Sequence, residues 1–165
     1  MAGTFEFIGP YTCDQGIAEI DSAKQAPLGM IVQAVDTGSD DRGVGEFIYL
    51  KGVASTAIGS VVLYSADDWS TALASANGVG SIAVAMAASV ANKYGWYQIS
   101  GKGSAKVLAS FADNGDCYLT STAGSIDDDD VAGDYVANML GASGISGGLA
   151  DVEISRPSVA DGKDD

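Results

Sequence analysis

The side chains available for acid–base or nucleophilic chemistry are limited, because the 165 residues include no histidine. Imidazole is the usual general base near neutral pH, the usual partner of a serine or cysteine nucleophile and the commonest metal ligand. What remains is carboxylate chemistry. Asp67, Asp68, Asp113, Asp116, Asp127, Asp128, Asp129, Asp130 and Asp134 are available, nearly all of them between short apolar runs. Two carboxylates facing each other about 5–10 Å apart in a cleft would suit glycoside hydrolysis. Aspartate between apolar runs more commonly hydrogen-bonds nearby backbone in a turn, and that is the expected role here. The run Asp127 to Asp130 is the densest charge feature, and Ca²⁺ takes roughly six to eight oxygens. A dedicated calcium loop spaces its ligands at alternate positions, whereas adjacent residues of an extended chain point apart. A hydrated acidic loop is therefore expected, and no metal site is assigned.

The glycines of residues 141–148, GASGISGG, invite comparison with a phosphate-cradling loop, but no Gly-Lys-Ser/Thr follows them. A tightly turning connection is expected instead. Trp69, Tyr94, Trp96 and Tyr97 could line a sugar-binding face, although an interface or a half-buried sheet position is the commoner use of such aromatics. Cys13 and Cys117 are the only cysteines. Their separation fits neither a disulfide framework nor a zinc site, and intracellular redox conditions favour two free thiols over the alternative of a single disulfide. No cofactor is implied, and the chain reads as a non-enzyme.

Whatever these residues do must be positioned by strands. From Leu28 onward, short apolar runs alternate with turn residues at the spacing of an all-β sandwich or barrel. The runs are residues 28–35, 46–53, 60–65, 81–88, 95–100, 104–110, 116–122, 135–140 and 151–155. Asn77-Gly78 and Asn114-Gly115 supply turn chemistry between them. Period two is plain where Phe47 and Tyr49 oppose Glu46, Ile48 and Leu50, and where Val152 and Ile154 oppose Asp151, Glu153 and Ser155. Residues 81–88 also carry a helical period, and alanine favours helix. The alternation of Ile82, Val84 and Met86 with Ala83, Ala85 and Ala87 nevertheless predicts a strand packed on both faces. Residues 1–27, with Phe5, Phe7 and Tyr11 among small and polar residues and interrupted by Pro10, Gly16 and Pro27, read as an extended N-terminal arm. Residues 28–157 form the β domain, and 158–165 a short acidic tail.

Composition bounds the function. Apolar residues make up 47% of the chain and charged residues 18%, a globular profile. Twenty-two acidic against eight basic residues give a net charge of −14. Phosphate backbones are bound by clustered Lys and Arg, so nucleic acid is not an expected partner. Neither is a membrane, since the basic residues are scattered and no apolar stretch approaches the roughly 20 residues of a span. The start, MAGTFEFIGPYT, lacks the features of a secretory signal, which implies a protein made in the cytoplasm.

The succession of Ile82 to Met86, then Tyr94-Gly95-Trp96-Tyr97-Gln98-Ile99 and Gly101, with GEFIYLKGVAS, SVVLYSADDWST and DVEISRP around it, resembles small β-rich head decoration, or cement, proteins of tailed bacteriophages. The resemblance runs from about residue 45 to 157, roughly two thirds of the chain. It implies a small barrel or sandwich made in the host cytoplasm, located on the head surface of the virion. The implied partners are the major capsid protein and further copies of the same chain, with a homotrimer favoured. Phe5, Phe7, Ile8, Tyr11, Trp69 and Trp96 are the expected capsid or subunit contacts. A virion-borne adhesion module that binds glycans, or another tail or neck component, is the alternative.

Overall fold

The computed structural model describes residues 4–9, 13–38 and 41–161. Among them there is no helix, and the protein is all-β. The strands are β1 (Phe5–Ile8), β2 (Ile20–Asp21), β3 (Ile31–Asp36), β4 (Val44–Lys51), β5 (Val61–Tyr64), β6 (Thr71–Leu73), β7 (Gly80–Ala85), β8 (Tyr94–Lys106), β9 (Asp116–Leu119), β10 (Ile126–Asp127), β11 (Tyr135–Gly141) and β12 (Leu149–Val159). All belong to one antiparallel sheet whose main path runs β1-β3-β4-β8-β7-β12-β11-β9-β10.

β8 organises the sheet. Its first half pairs with β4, from Lys51↔Tyr94 to Glu46↔Ser100, and its second half with β12, from Ser155↔Ser100 to Leu149↔Lys106. Sequence reading ends one run at residue 100 and begins the next at 104, leaving Gly101, Lys102 and Gly103 between two strands. The chain instead bends there and changes partner. Gly101 sits at φ +102°, and a Cβ on Gly103 would overlap Oε1 of the fully buried Gln98. The amide Nε2 of Gln98 donates to Ser100 O (3.1 Å) and Lys102 O (3.3 Å), two carbonyls of that bend. The glycines thus make room for a buried polar group to satisfy backbone that the bend would otherwise orphan.

Alternation decides which side chains are covered. In β4, Phe47 and Tyr49 join Trp96 in one apolar cluster, while Ile48 and Leu50 join Tyr97 and Ile99 in another. β7 sends Ile82 and Val84 into a third cluster and Ala83 and Ala85 into the second, so it is a strand buried on both faces, as its large/small alternation predicts. The glycine-rich connection ends in a two-residue hairpin: Ser146 and Leu149 exchange backbone hydrogen bonds, and Gly147 and Gly148 both have positive φ, the signature of a type I′ turn. At the Asn-Gly pairs it is the asparagine that takes positive φ, +66° at Asn77 and +63° at Asn114.

Both ends of the chain differ from the sequence reading. The first segment lies against the domain: β1 pairs with β3, β2 pairs with β8, and Ile17 and Ala26 are buried. Gln15 fastens it, accepting the Tyr49 hydroxyl at Oε1 (2.6 Å) and the Trp96 indole N–H at its carbonyl (3.2 Å), and donating to Tyr94 O (2.8 Å). At the other end, Ser158 and Val159 pair with β7 and Val159 is buried, so these residues belong to the sheet and not to the tail.

Candidate interaction surface

The alternation of β1 splits its residues between core and solvent. Phe5 packs edge-on to Phe47 (4.8 Å between ring centres) and Phe7 edge-on to Trp96 (5.5 Å). Phe5 and Trp96, expected as contacts to another molecule, are therefore core residues; Trp96 is 1% exposed and also lies 4.9 Å from the Tyr49 ring. Their burial follows from β1 pairing within its own sheet, which the arm reading did not include. Trp69 is half-buried at φ +59°, its ring lying so close over Gly29 that a Cβ there would come within 2.5 Å of it. Tyr11 lies outside the described residues. Of the contacts expected from sequence, Ile8 alone among the described residues is a large apolar side chain in the exposed class, at 38%.

Ile8 has company that the sequence did not reveal. Cross-strand register sets out two rows on the outer face of β1, β3 and β4, Glu6, Val35 and Val44, then Ile8, Gln33 and Glu46, with Ile31 beyond them opposite the buried Ile48. Ile31 is 40% exposed and Val44 50%, so the face is an apolar strip interrupted by carboxylates. Residues directly opposite on an antiparallel pair have Cβ atoms roughly 4.5–5.5 Å apart, close enough for these side chains to act as one patch. β1 has a strand neighbour on one side only among the described residues. Glu46 is tied to Arg156 by a 3.4 Å ion pair. That pair is exposed and contributes little to stability.

Several acidic residues serve their own turns or lie on open surface. Asp68 caps its own turn, with Oδ1 accepting the Ser70 hydroxyl (2.7 Å) and amide (3.0 Å), and these bonds hold its pKa below the usual carboxylate range. Asp134 is buried and accepts the Asn77 amide at 2.6 Å, pinning one loop to another. Asp116 and Glu153 flank Leu140 in one row of β9, β11 and β12, over an open depression of about 460 Å³. Both carboxylates are exposed. A glycosidic acid must be desolvated to stay protonated, and among the described residues nothing covers this pair.

Asp127, Asp128 and Asp129 bring carboxylate oxygens within 4.8 Å of one another. Asp127 and Asp129, with Asp134, line a pocket of about 320 Å³ whose other walls include Leu108, Leu119 and Val131. Burial raises the pKa of Asp127; the Asp128 and Asp129 carboxylates add to the rise, and a hydrogen bond from the Asp128 amide opposes it. The thiols are free: Cys117 is buried, with its pKa pushed up to about 12, and Cys13 is half-buried.

Compared with known proteins, the chain matches no family model, no curated protein and no solved structure.

Proposed function

We propose that this chain is a bacteriophage head decoration protein that binds the outside of the capsid lattice and stabilises the assembled head. Its partners on this reading are the major capsid protein and its own copies, with a homotrimer favoured, and its place is the head surface of the virion. The observation that carries the proposal is the outer face of β1, β3 and β4, where Ile8, Ile31 and Val44 stay exposed in a chain of net charge −14. Apolar side chains grouped on one face of an otherwise acidic protein favour a complementary protein surface, while the charge opposes indiscriminate association. The sequence resemblance of residues 45–157 supports the same reading. Ligation of the assembled shell shifts its equilibrium away from disassembly, and several modest contacts per oligomer suffice through effective concentration.

A glycan-binding module gains less support, because Trp96 is in the core and Trp69 is half-covered by its packing on Gly29.

The test is co-sedimentation with heads that lack the protein. Saturable binding at a fixed ratio to capsid subunits is expected, and Ile31→Lys with Val44→Lys, at positions already in solvent, should abolish it while leaving the circular dichroism spectrum unchanged. Absence of wild-type binding, or full binding by the double variant, would overturn respectively the function and the face assigned to it.

A further inference from the structure

We infer that the Asn114-Gly115 turn is a site of spontaneous covalent modification, at which Asn114 converts to aspartate and isoaspartate through a cyclic imide, while the identical pair Asn77-Gly78 is protected by the fold. This lies outside the capsid reading and does not depend on it.

The chemistry needs only the chain and water. The Gly115 amide nitrogen attacks Cγ of Asn114; the N–Cγ bond forms, the Cγ–Nδ2 bond breaks, and ammonia leaves, taking up a proton in exchange for the one the Gly115 amide gives to solvent. Water then opens the ring. Addition at Cγ restores the original backbone with an aspartate side chain, and addition at the Asn114 carbonyl carbon leaves Cγ bonded to Gly115, which is isoaspartate. Neither step changes an oxidation state. The four asparagines, Asn77, Asn92, Asn114 and Asn138, all have positive φ, a conformation that asparagine tolerates. Lys93 and Met139 follow two of them, and their side chains crowd the attacking nitrogen. Gly78 and Gly115 leave it open.

Ring closure swings the asparagine side chain against the next peptide, so the turn must open locally, and the bonds that hold it set how often it does. Asn77 is held on every side. The Ala76 amide donates to Thr120 O (2.8 Å), the Asn77 amide to the buried Asp134 carboxylate (2.6 Å), and the Gly78 amide, the nitrogen that would attack, to Ser75 O (2.9 Å). Gly78 is packed so closely that a Cβ there would lie 2.7 Å from Leu63 Cδ1. Asn114 instead ends an exposed stretch, Ala112 to Asn114. Its amide reaches Gly141 O at 3.2 Å, and the Gly141 amide returns to Gly115 O at 2.9 Å. Both are neutral bonds, weaker than one to a carboxylate; a charge-assisted bond, from the Ala112 amide to Asp128 (3.1 Å), lies two residues back. Either product adds a negative charge beside Asp113 and Asp116 in a chain already at −14. Isoaspartate also adds a carbon to the main chain between the two bonds that meet Gly141, at the end of β11.

The experiment holds the full chain at pH 8, natively and in parallel in guanidinium chloride, and follows each asparagine by peptide mass spectrometry with electron-transfer fragmentation to identify isoaspartate. In the native protein Asn114 should convert at least about tenfold faster than Asn77, the scale of the charge-assisted bond that Asn77 must break first. Both products should form, and in the unfolded chain the two asparagines should convert at similar rates. Three outcomes would overturn the proposal: native Asn114 staying intact for as long as the unfolded chain takes to convert it, native Asn77 converting as fast as Asn114, or aspartate forming without isoaspartate, which would mean direct hydrolysis without a ring.

Discussion

Replacing Gly103 by alanine should be among the most damaging single-methyl additions in this protein, for a reason confined to one side chain. The new Cβ would overlap Gln98 Oε1 and sit 3.0 Å from its Cδ. Gln98 is fully buried. Gly103 does not occupy the left-handed region, so alanine suits the backbone and the penalty is steric. Overpacking a filled site costs about 1–3 kcal/mol. Displacing Gln98 also weakens its bonds to Ser100 O and Lys102 O, each contributing about 1 kcal/mol. The sum is a loss of about 2–4 kcal/mol. With a urea dependence of about 2 kcal/mol per molar for a small domain, the midpoint should fall by roughly 1–2 M. Equilibrium urea unfolding followed by Trp fluorescence measures it. The decisive control is Gln98→Ala: in that background the colliding amide is gone, and the penalty of Gly103→Ala should shrink by at least about 1 kcal/mol. A loss below about 0.5 kcal/mol in the wild-type background, or an equal loss in both backgrounds, would refute the steric account.

The burial of β1 implies that Phe5→Ala destabilises the whole domain by about 3 kcal/mol, so removing residues 1–12 should lower the melting temperature as well as any particle binding. An unchanged melting temperature would mean that β1 is a detachable arm after all. Native protein at pH 8 should titrate a single thiol, Cys13, with a disulfide reagent. At a pKa of about 12, Cys117 is thiolate in only about one molecule in ten thousand, and it should react only after unfolding. Asp127, whose pKa is raised by burial, binds its proton more tightly in the folded state. Its contribution to stability is therefore fully present below the unfolded pKa of about 3.9 and is lost as pH rises through the folded value. Asp127→Asn should accordingly raise the melting temperature by a few degrees at pH 7 and leave it unchanged near pH 3; equal effects at both pH values would exclude a titration origin.

Much of the sheet was legible because its residues obey period two locally. β4, β7 and β12 each combine alternating side chains with turn residues nearby, and the Gly147-Gly148 hairpin carries its own chemistry. β2, β6 and β10 were not legible: each is two or three residues long, too short for any period, and exists because a partner strand is there. β1 was missed for a related reason. Its four residues alternate aromatic and other side chains, but its partner is β3, some thirty positions away in the pairing Phe5↔Asp36, and nothing nearby in sequence indicates that Phe5 will meet Phe47. The exposed strip was hidden by the opposite error. Residues 28–35 read only as one short apolar run among nine, with nothing to say which face is covered, and β1 and β3 lie at the end of the sheet path, where Ile31 stays 40% exposed. Whether an apolar run is buried on one side or two depends on sheet order, which is a property of the whole chain.

That difference between strands bears directly on function. Where the fold must be rigid, at the crossing of β4, β8 and β12, it uses a fully buried glutamine surrounded by Gly45, Gly101 and Gly103, an arrangement that tolerates little substitution and touches no solvent. Where side chains reach solvent, the acids are mostly held in turns, as Asp68 is by Ser70, or spread over open surface, as Asp116 and Glu153 are. Burial raises a carboxylate pKa at Asp127, in the pocket it shares with Asp129 and Asp134. On the reading proposed above, the apolar strip at one end of the sheet path is the face that meets the partner; the acidic pocket lined by Asp127, Asp129 and Asp134 is a separate feature. They differ in character, since an apolar contact is indifferent to salt while a charged one is screened within about 8–10 Å at physiological ionic strength.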